Sequence, residues 1–387
     1  MNLRDEFEIA VRVREDGSET AWYKVRIPSS KVNAYHEYDG RYIPHDHNYG
    51  DPSRFFSNHS IRRLSKSTAD KPHRRCAVIK NTIYTFSVDG IFMRSILSDF
   101  DQNKLQWKPV PSCPPNLFIR NTPSPMSLGG RIYIFGAMLS QDDQELGVIY
   151  DPVKDSWSSI LYQNENTIIP NCNWTFVSSL GESVGKIIVA APYVAEAESS
   201  DKGKSKAVHC FVYDVATGEL NPFTHSELSL CLNNLPMNPA VVEQDSTVYW
   251  IDEHSGLLYA LNWRTMDLVS GPIIGLEHES FTTAIHKNYS KLPLTHLKDG
   301  LFCLLWYQFG RSDFSSNLHC LITRVIRYAS SGICMSVVGC FCATTPQFIE
   351  LVDAYLLSRT SHNWTSRKGK YEARSKEGRK VAMSRPA

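Results

Sequence analysis

The sequence of 387 residues lacks several features that would place it quickly in a class of protein. It has no run of about 18 apolar residues, so we predict no transmembrane helix. The start, MNLRDEFEIAVRVRED, lacks an apolar core of signal-peptide type, which predicts a cytoplasmic or nuclear protein. The formal net charge is only +1, so no global field favours nucleic acid or an anionic membrane as a partner.

Closely paired cysteines are also missing. Ten cysteines are scattered along the chain without a CxxC motif, and several lie inside apolar runs such as LFCLLWY and VVGCFCA. Thiols in such runs usually behave as small buried apolar groups. We therefore expect buried free thiols, and without a secretion signal we do not expect a disulfide framework.

Recognisable catalytic motifs are absent too, since no GxSxG, no P-loop and no GxGxxG in a strand context occurs. One polar stretch, YHEYDGRYIPHDHNYGD, could supply metal ligands, because imidazoles and carboxylates bind zinc or iron. Its candidate ligands are His36, His45, His47, Glu37, Asp39, Asp46 and Asp51. The competing interpretation is a polar loop with solvated histidines. No HExxH motif or cysteine pair supports a metal, so we predict no metal, no cofactor and no catalytic residues.

The chain does contain a weak internal repeat. Its clearest copy is LGGRIYIFGAMLSQDDQELGVIYDPVKDSW, residues 128–157: an apolar run, a gap, a second apolar run, a polar turn and a third apolar position. Five anchors are each followed by an apolar residue seven positions later: Phe100–Trp107, Tyr150–Trp157, Tyr213–Leu220, Leu261–Leu268 and Ile326–Ile333. Polar inserts lengthen two of the intervals between anchors, and without them the period is about 50 residues, which indicates a stacked supersecondary unit.

The repeated elements have the composition of β-strands. RIYIFGA, TVYWIDE and KIIVAAP are short, rich in β-branched and aromatic residues, and end in turn residues. The sequences YDPVKDSW and YDVATGEL place Asp, Pro and Gly where a strand–turn–strand hairpin needs them. About four strands fit in 50 residues, which predicts an all-β propeller built from four-stranded antiparallel blades.

The best copy, with Gly129, Gly130, Tyr150 and Trp157, resembles the kelch repeat of galactose-oxidase-type propellers, and Asp151 follows the tyrosine in this repeat. The copy at Phe100 and Trp107 keeps the aromatic residues but lacks the glycine pair. The resemblance covers residues 76–345. In texture the sequence is similar to plant kelch or F-box/kelch proteins, although residues 1–75 contain no F-box pattern. It implies a structural role for these residues and a non-catalytic protein–protein interaction module, such as a scaffold or the substrate-recognition subunit of a ubiquitin ligase.

An alternative from the same family is a metal-dependent propeller enzyme, either an oxidase or a specifier protein. The copper ligands of galactose oxidase cannot be assigned to residues of this chain. The iron-binding pattern Glu-x3-Asp-x3-His of specifier proteins does not occur. We therefore favour the binding module, with an unknown protein partner held by the propeller loops.

The chain divides into four predicted segments. Residues 1–28 form a hairpin that supplies the outer strands of a closing blade, and residues 29–75 are a polar connection. Residues 76–358 form the blades, and residues 359–387 are a basic disordered tail. Six blades are expected, with five or seven as alternatives, and Cys340 to Leu357 would supply inner strands of the closing blade. QFIELVDAYLL could alternatively form a short helix.

Two basic stretches, IRRLSKSTADKPHRRC and RKGKYEARSKEGRK, could be nuclear-import signals or nucleic-acid contacts. Solvated charge runs are the commoner explanation, so nucleic acid is not an expected partner. We expect a monomer.

Overall fold

Alternating and continuous apolar runs form β-strands throughout the part of the chain that the structure describes. The computed structural model describes residues 6–15, 19–28, 61–67, 75–80, 82–86, 92–96, 107–139, 145–161, 176–179, 185–193, 207–223, 240–242, 246–252, 255–265, 267–274, 293–298, 300–309, 316–328, 332–345 and 349–360. In these ranges no helix is long and apolar enough to span a membrane.

The described strands form six sheets, which we number in the order in which they pack. Sheet 1 has the order β25 (Ile349–Thr360), β1 (Glu6–Glu15), β2 (Glu19–Pro28) and β3 (Ile61–Ser67). Sheet 2 contains β4 (Arg75–Ile79), β5 (Thr82–Phe86), β6 (Phe92–Ile96) and β7 (Lys108–Pro109). Sheet 3 contains β8 (Phe118–Leu128), β9 (Arg131–Met138), β10 (Glu145–Asp151) and β11 (Ser156–Leu161).

The remaining sheets repeat this pattern. Sheet 4 contains β12 (Phe176–Ser179), β13 (Lys186–Tyr193), β14 (Ala207–Asp214) and β15 (Leu220–Phe223). Sheet 5 contains β16 (Ala240–Val242), β17 (Thr247–Ile251), β18 (Leu258–Asn262) and β19 (Leu268–Gly271). Sheet 6 contains β21 (Leu294–Lys298), β22 (Leu301–Phe309), β23 (Ser316–Arg327) and β24 (Ile333–Thr345), and β20 (Ile273–Ile274) joins β24 in parallel.

Six apolar clusters hold these sheets together, one between each successive pair. The second strand of each sheet is buried on both faces, because alternate side chains of a strand point to opposite sides. In β9, for example, Ile132 and Ile134 pack toward sheet 2, whereas Tyr133 and Phe135 pack toward sheet 4. The last cluster joins Leu301 and Cys303 of sheet 6 to sheet 1. The sheets therefore follow one another around a ring, and the chain is an all-β propeller, as its sequence predicts.

The closing sheet differs in detail from the prediction. Only β25 comes from the C-terminal region, and it pairs with β1 along the whole length of that strand. Cys340 does not belong to this sheet, because β24 continues to Thr345 and pairs with β23 of sheet 6. The fourth strand is β3, which lies inside the segment predicted as a connection and pairs with β2. The helix proposed for QFIELVDAYLL is wrong, because residues 349–357 belong to β25.

Candidate functional site

One surface of the ring consists of paired turns at one end of sheets 3 to 6. In each of these sheets the turn between the first and second strands lies beside the turn between the third and fourth. Three equivalent backbone hydrogen bonds join the two turns: Val215 N–H to Gly185 O (2.9 Å), Trp263 N–H to Ser246 O (3.0 Å) and Val325 N–H to Gly300 O (3.1 Å). We call this surface the hairpin face; its described turn residues are 129–130 with 151–156, 185 with 214–219, 246 with 262–265 and 267, and 300 with 327–328 and 332.

The turns of neighbouring sheets lie at the same end of the ring. Leu128, which precedes the first turn of sheet 3, shares a core cluster with Val215 of sheet 4. In sheets 5 and 6, one Nη of Arg327 donates to Thr247 Oγ1 at 2.7 Å and to Tyr249 Oη at 2.6 Å. The hairpin face is therefore a composite surface that crosses from one sheet to the next.

The predicted glycine pair forms the first of these turns. Gly129 and Gly130 connect β8 to β9, and their φ angles of 58° and 73° both lie in the left-handed region. A two-residue hairpin with both φ angles positive matches the twist of the flanking strands, and glycine adopts it without steric cost. Ser246 occupies the corresponding position of sheet 5 with φ 53°, which explains why the glycine signal is missing in that copy.

A polar side chain at the end of the third strand closes the second turn in three successive sheets. Asp151 Oδ1 accepts hydrogen bonds from the backbone N–H groups of Val153 (3.0 Å) and Lys154 (3.1 Å). Asp214 and Asn262 accept the two equivalent bonds in sheets 4 and 5. The backbone hydrogen bond from Lys154 is the largest cause of the lowered pKa of Asp151. These contacts fix the backbone of each tip while the tip side chains remain free to face solvent.

Basic residues reinforce two of these turns. Arg131 Nε lies 3.3 Å from Asp151 Oδ2, and Lys186 Nζ lies 3.6 Å from Asp214 Oδ2. Each cation is the first residue of a second strand, so each ion pair links the two turns of one sheet. The sequence signal for this device is an Asp or Asn at the end of an apolar run followed by a polar tip; it is visible in YDPVKDSW and YDVATGEL, and Asn262 takes the same position in sheet 5.

The seven-residue interval corresponds to a direct strand pair in three sheets. Tyr150 faces Trp157, Tyr213 faces Leu220, and Leu261 faces Leu268 across the hairpin. In sheet 6 the seven-residue interval does not correspond to a direct strand pair, because Ile326 pairs with Cys334 and Arg327 pairs with Ile333. Phe100 lies outside the described residues, and its predicted partner Trp107 packs between sheets 1 and 2.

Tyr150 and Trp157 form the centre of a hydrogen-bonded network that reaches from the core to the surface. Tyr150 is fully buried, and its ring centroid lies 4.7 Å from that of Trp157. The hydroxyl groups of Tyr150 and Ser112 both donate to Asp155 Oδ1, at 2.8 and 2.7 Å. Trp157 Nε1 donates to Ser112 Oγ at 3.1 Å. Because Ser112 lies in the segment that connects sheets 2 and 3, this network fastens that segment to the hairpin of sheet 3.

The tips of the hairpin face expose apolar and basic side chains. Val153 is 91% exposed and Tyr328 is 50% exposed. The guanidinium carbon of the exposed residue Arg264 lies 5.2 Å from the ring centroid of Trp263, within the range of a cation–π contact. Aromatic and arginine side chains are residue types enriched in protein-binding surfaces.

No metal-binding cluster is seen in the described ranges. Among these residues, no three His, Cys, Asp or Glu side chains are grouped as ligands of a metal ion. The seven candidate ligands between His36 and Asp51 lie outside the described residues. The predicted site residues between Gly129 and Leu268 all belong to turns or to strand pairs, and Trp107 packs between sheets 1 and 2.

Comparison with known proteins gives similarity of fold without a family. No protein-family model and no curated protein matches the sequence. Similar solved structures include a luciferin-regenerating enzyme (14% identity, 62% of this chain and 68% of that chain, TM-score 0.35). Others are a calcium-binding regucalcin from Agrobacterium tumefaciens (9% identity, 68% and 70%, TM-score 0.32) and U3-55K (10% identity, 63% and 63%, TM-score 0.31). The luciferin-regenerating enzyme and regucalcin are β-propellers. Similarity at this level carries no argument about activity.

Proposed function

We propose that this chain is a non-catalytic protein–protein interaction module: a monomeric, intracellular propeller of the kelch type from a plant. Its partner is a protein that it holds by its turns and loops, with the chain acting as a scaffold or as the substrate-recognition subunit of a ubiquitin ligase.

The observation that carries this proposal is the construction of the hairpin face. Three successive hairpins are closed by the same side-chain device, at Asp151, Asp214 and Asn262. Ordering flexible loops on binding costs free energy, so tips that are already fixed in the unbound chain favour association. The exposed Val153 and Arg264 are displayed on such fixed tips, which supports recognition of a partner.

The kelch assignment has separate support. Within sheet 3, Gly129 and Gly130 make the first turn, and Tyr150 packs on Trp157 inside the second hairpin. These residues are the four that carry the resemblance, and each serves the architecture of the sheet. Their placement favours a structural role over a catalytic one.

The test is partner capture followed by interface mapping. The tagged full chain would be expressed in plant cells, and partners identified by mass spectrometry would be purified and titrated against variants. Val153→Asp and Arg264→Glu should weaken binding at least about tenfold, as expected for loss of a central contact, and should leave Tm unchanged. Leu161→Asp is the matched control, because Leu161 is also half-exposed but lies at the far end of β11 from the hairpin.

Two outcomes would contradict the proposal. One is that a purified partner binds all three variants with wild-type affinity, which would remove the hairpin face from the interface. The other is that the purified chain holds about one equivalent of metal and turns over a substrate, which would favour the metal-dependent enzyme.

A further inference from the structure

Two cysteines lie in contact inside the interface that closes the ring. Cys303 is in β22 and Cys320 is in β23, and both side chains are completely buried. Their sulfur atoms are 3.1 Å apart. Another described cysteine, Cys334, contacts the Tyr328 hydroxyl at 3.0 Å.

The strand register explains why these two sulfurs meet. Cys303 faces Ile322 and Cys320 faces Leu305, so the cysteines are diagonal neighbours on adjacent antiparallel strands. All four side chains belong to the same cluster, in which sheet 6 packs against β1, β2 and β25 of sheet 1. A disulfide needs a sulfur–sulfur distance of about 2.05 Å, so the sulfurs must approach by about 1 Å. Diagonal neighbours have Cα atoms about 7 to 8 Å apart, so β22 and β23 must also shift slightly toward each other for the link to form.

We propose that Cys303 and Cys320 are a disulfide-forming pair, which a small-molecule disulfide such as oxidised glutathione converts into a covalent link between β22 and β23. In the first step one cysteine thiolate attacks glutathione disulfide, forms a mixed disulfide and releases one glutathione thiolate. The second cysteine then loses its proton, attacks the protein sulfur of the mixed disulfide and releases the second glutathione. Two protein thiols and one glutathione disulfide thus become one protein disulfide and two glutathione thiols.

Burial sets when this reaction occurs. The hydrogen bond with Cys303 and the loss of solvent around Cys320 raise the pKa of the Cys320 thiol well above its usual value. Both sulfurs are completely buried, so glutathione disulfide cannot reach either of them while the ring is closed. Opening of the interface between sheets 6 and 1 exposes them, and once the link has formed the same interface shields it from reductant.

The test is disulfide mapping on the full chain. The protein would be incubated with oxidised glutathione at several urea concentrations below the unfolding midpoint, and free thiols would then be alkylated at low pH. Peptide mass spectrometry without reduction should show Cys303 linked to Cys320, forming faster as urea rises. The link closes the loop between Cys303 and Cys320 and so restricts the unfolded chain. The Tm of the oxidised chain should therefore be roughly 4 °C higher than that of the reduced chain.

Two variants sharpen the result. Cys320→Ala should lose both the linked peptide and the difference in Tm, whereas Cys210→Ala, a buried cysteine between sheets 4 and 5, should keep both. If Cys320→Ala does not fold, the wild-type map decides the question alone. The proposal is overturned if Cys303 and Cys320 remain fully alkylated after oxidation near the midpoint, or if either of them links mainly to another cysteine.

Discussion

Replacing Trp157 by alanine should destabilise the chain by about 3 kcal/mol, and the structure gives the reasons for this magnitude. The indole is half-buried, stacks at 4.7 Å on the fully buried Tyr150, and donates a hydrogen bond to Ser112 at 3.1 Å. Removing it uncovers the connection between sheets 2 and 3, which packs in the same cluster through Val110 and Cys113.

The estimate combines two contributions. Folding removes on the order of 150 Å² of the surface of a half-buried tryptophan from water. This burial stabilises the folded chain by roughly 3 to 4 kcal/mol as an upper value, and by about a third less when the unfolded chain is compact. The hydrogen bond to Ser112 adds about 1 kcal/mol. Trp157→Phe keeps the ring but loses the hydrogen bond, so it should cost about 1 to 1.5 kcal/mol.

The assay is urea unfolding followed by circular dichroism, with the midpoint compared at an unchanged slope. Leu161→Ala is the control, because it removes an exposed side chain of the same strand and should change the free energy of unfolding by less than about 0.5 kcal/mol. If Trp157→Ala unfolds within about 0.5 kcal/mol of the wild type at the same slope, Trp157 does not fasten the two sheets and our reasoning about the network fails.

Three further predictions follow from single contacts. Gly271→Ala should lower the free energy of unfolding by more than about 3 kcal/mol, because the new Cβ would lie 1.6 Å from the carbonyl oxygen of Ile333. Gly130→Ala should cost only about 1 to 2 kcal/mol, because its Cβ would enter open space and only the φ of 73° is unfavourable. Equal losses of stability for the two variants in thermal unfolding would refute the clash at Gly271. Burial lowers the pKa of His319 from 6.5 to about 4, so the unfolded chain binds more protons than the folded chain between these pH values. The free energy of unfolding should therefore fall by about 3 kcal/mol from pH 6.5 to pH 4. His319→Phe should show a visibly flatter profile of stability against pH if its ring keeps the stack on Trp306. Arg327→Met should lose about 1 to 2 kcal/mol in urea unfolding through its bonds to Thr247 and Tyr249, whereas no change would show that these bonds merely replace hydration.

The hairpins were predictable because their information is local. Tyr150 and Trp157 pair across one hairpin, with six residues between them, so a fixed interval in the sequence corresponds to a fixed contact in the sheet. The same interval fails at Ile326, where apolar residues continue on both sides and the pattern does not select a register. Ser112 was missed because its partners Asp155 and Trp157 are more than 40 positions away, and a serine in a polar segment carries no signal of such a contact.

The amino-acid sequence alone therefore determined the strands, their apolar faces and the all-β class, since side-chain alternation and turn chemistry act over a few residues. Tertiary structure decided which strands close the ring. β24 and β25 are both apolar, yet only β25 pairs with β1, and β3 completes that sheet from a polar segment that has no strand pattern of its own. The choice rests on pairing across more than 330 residues and on burial against two neighbouring sheets, and neither of these can be read from a local stretch of sequence.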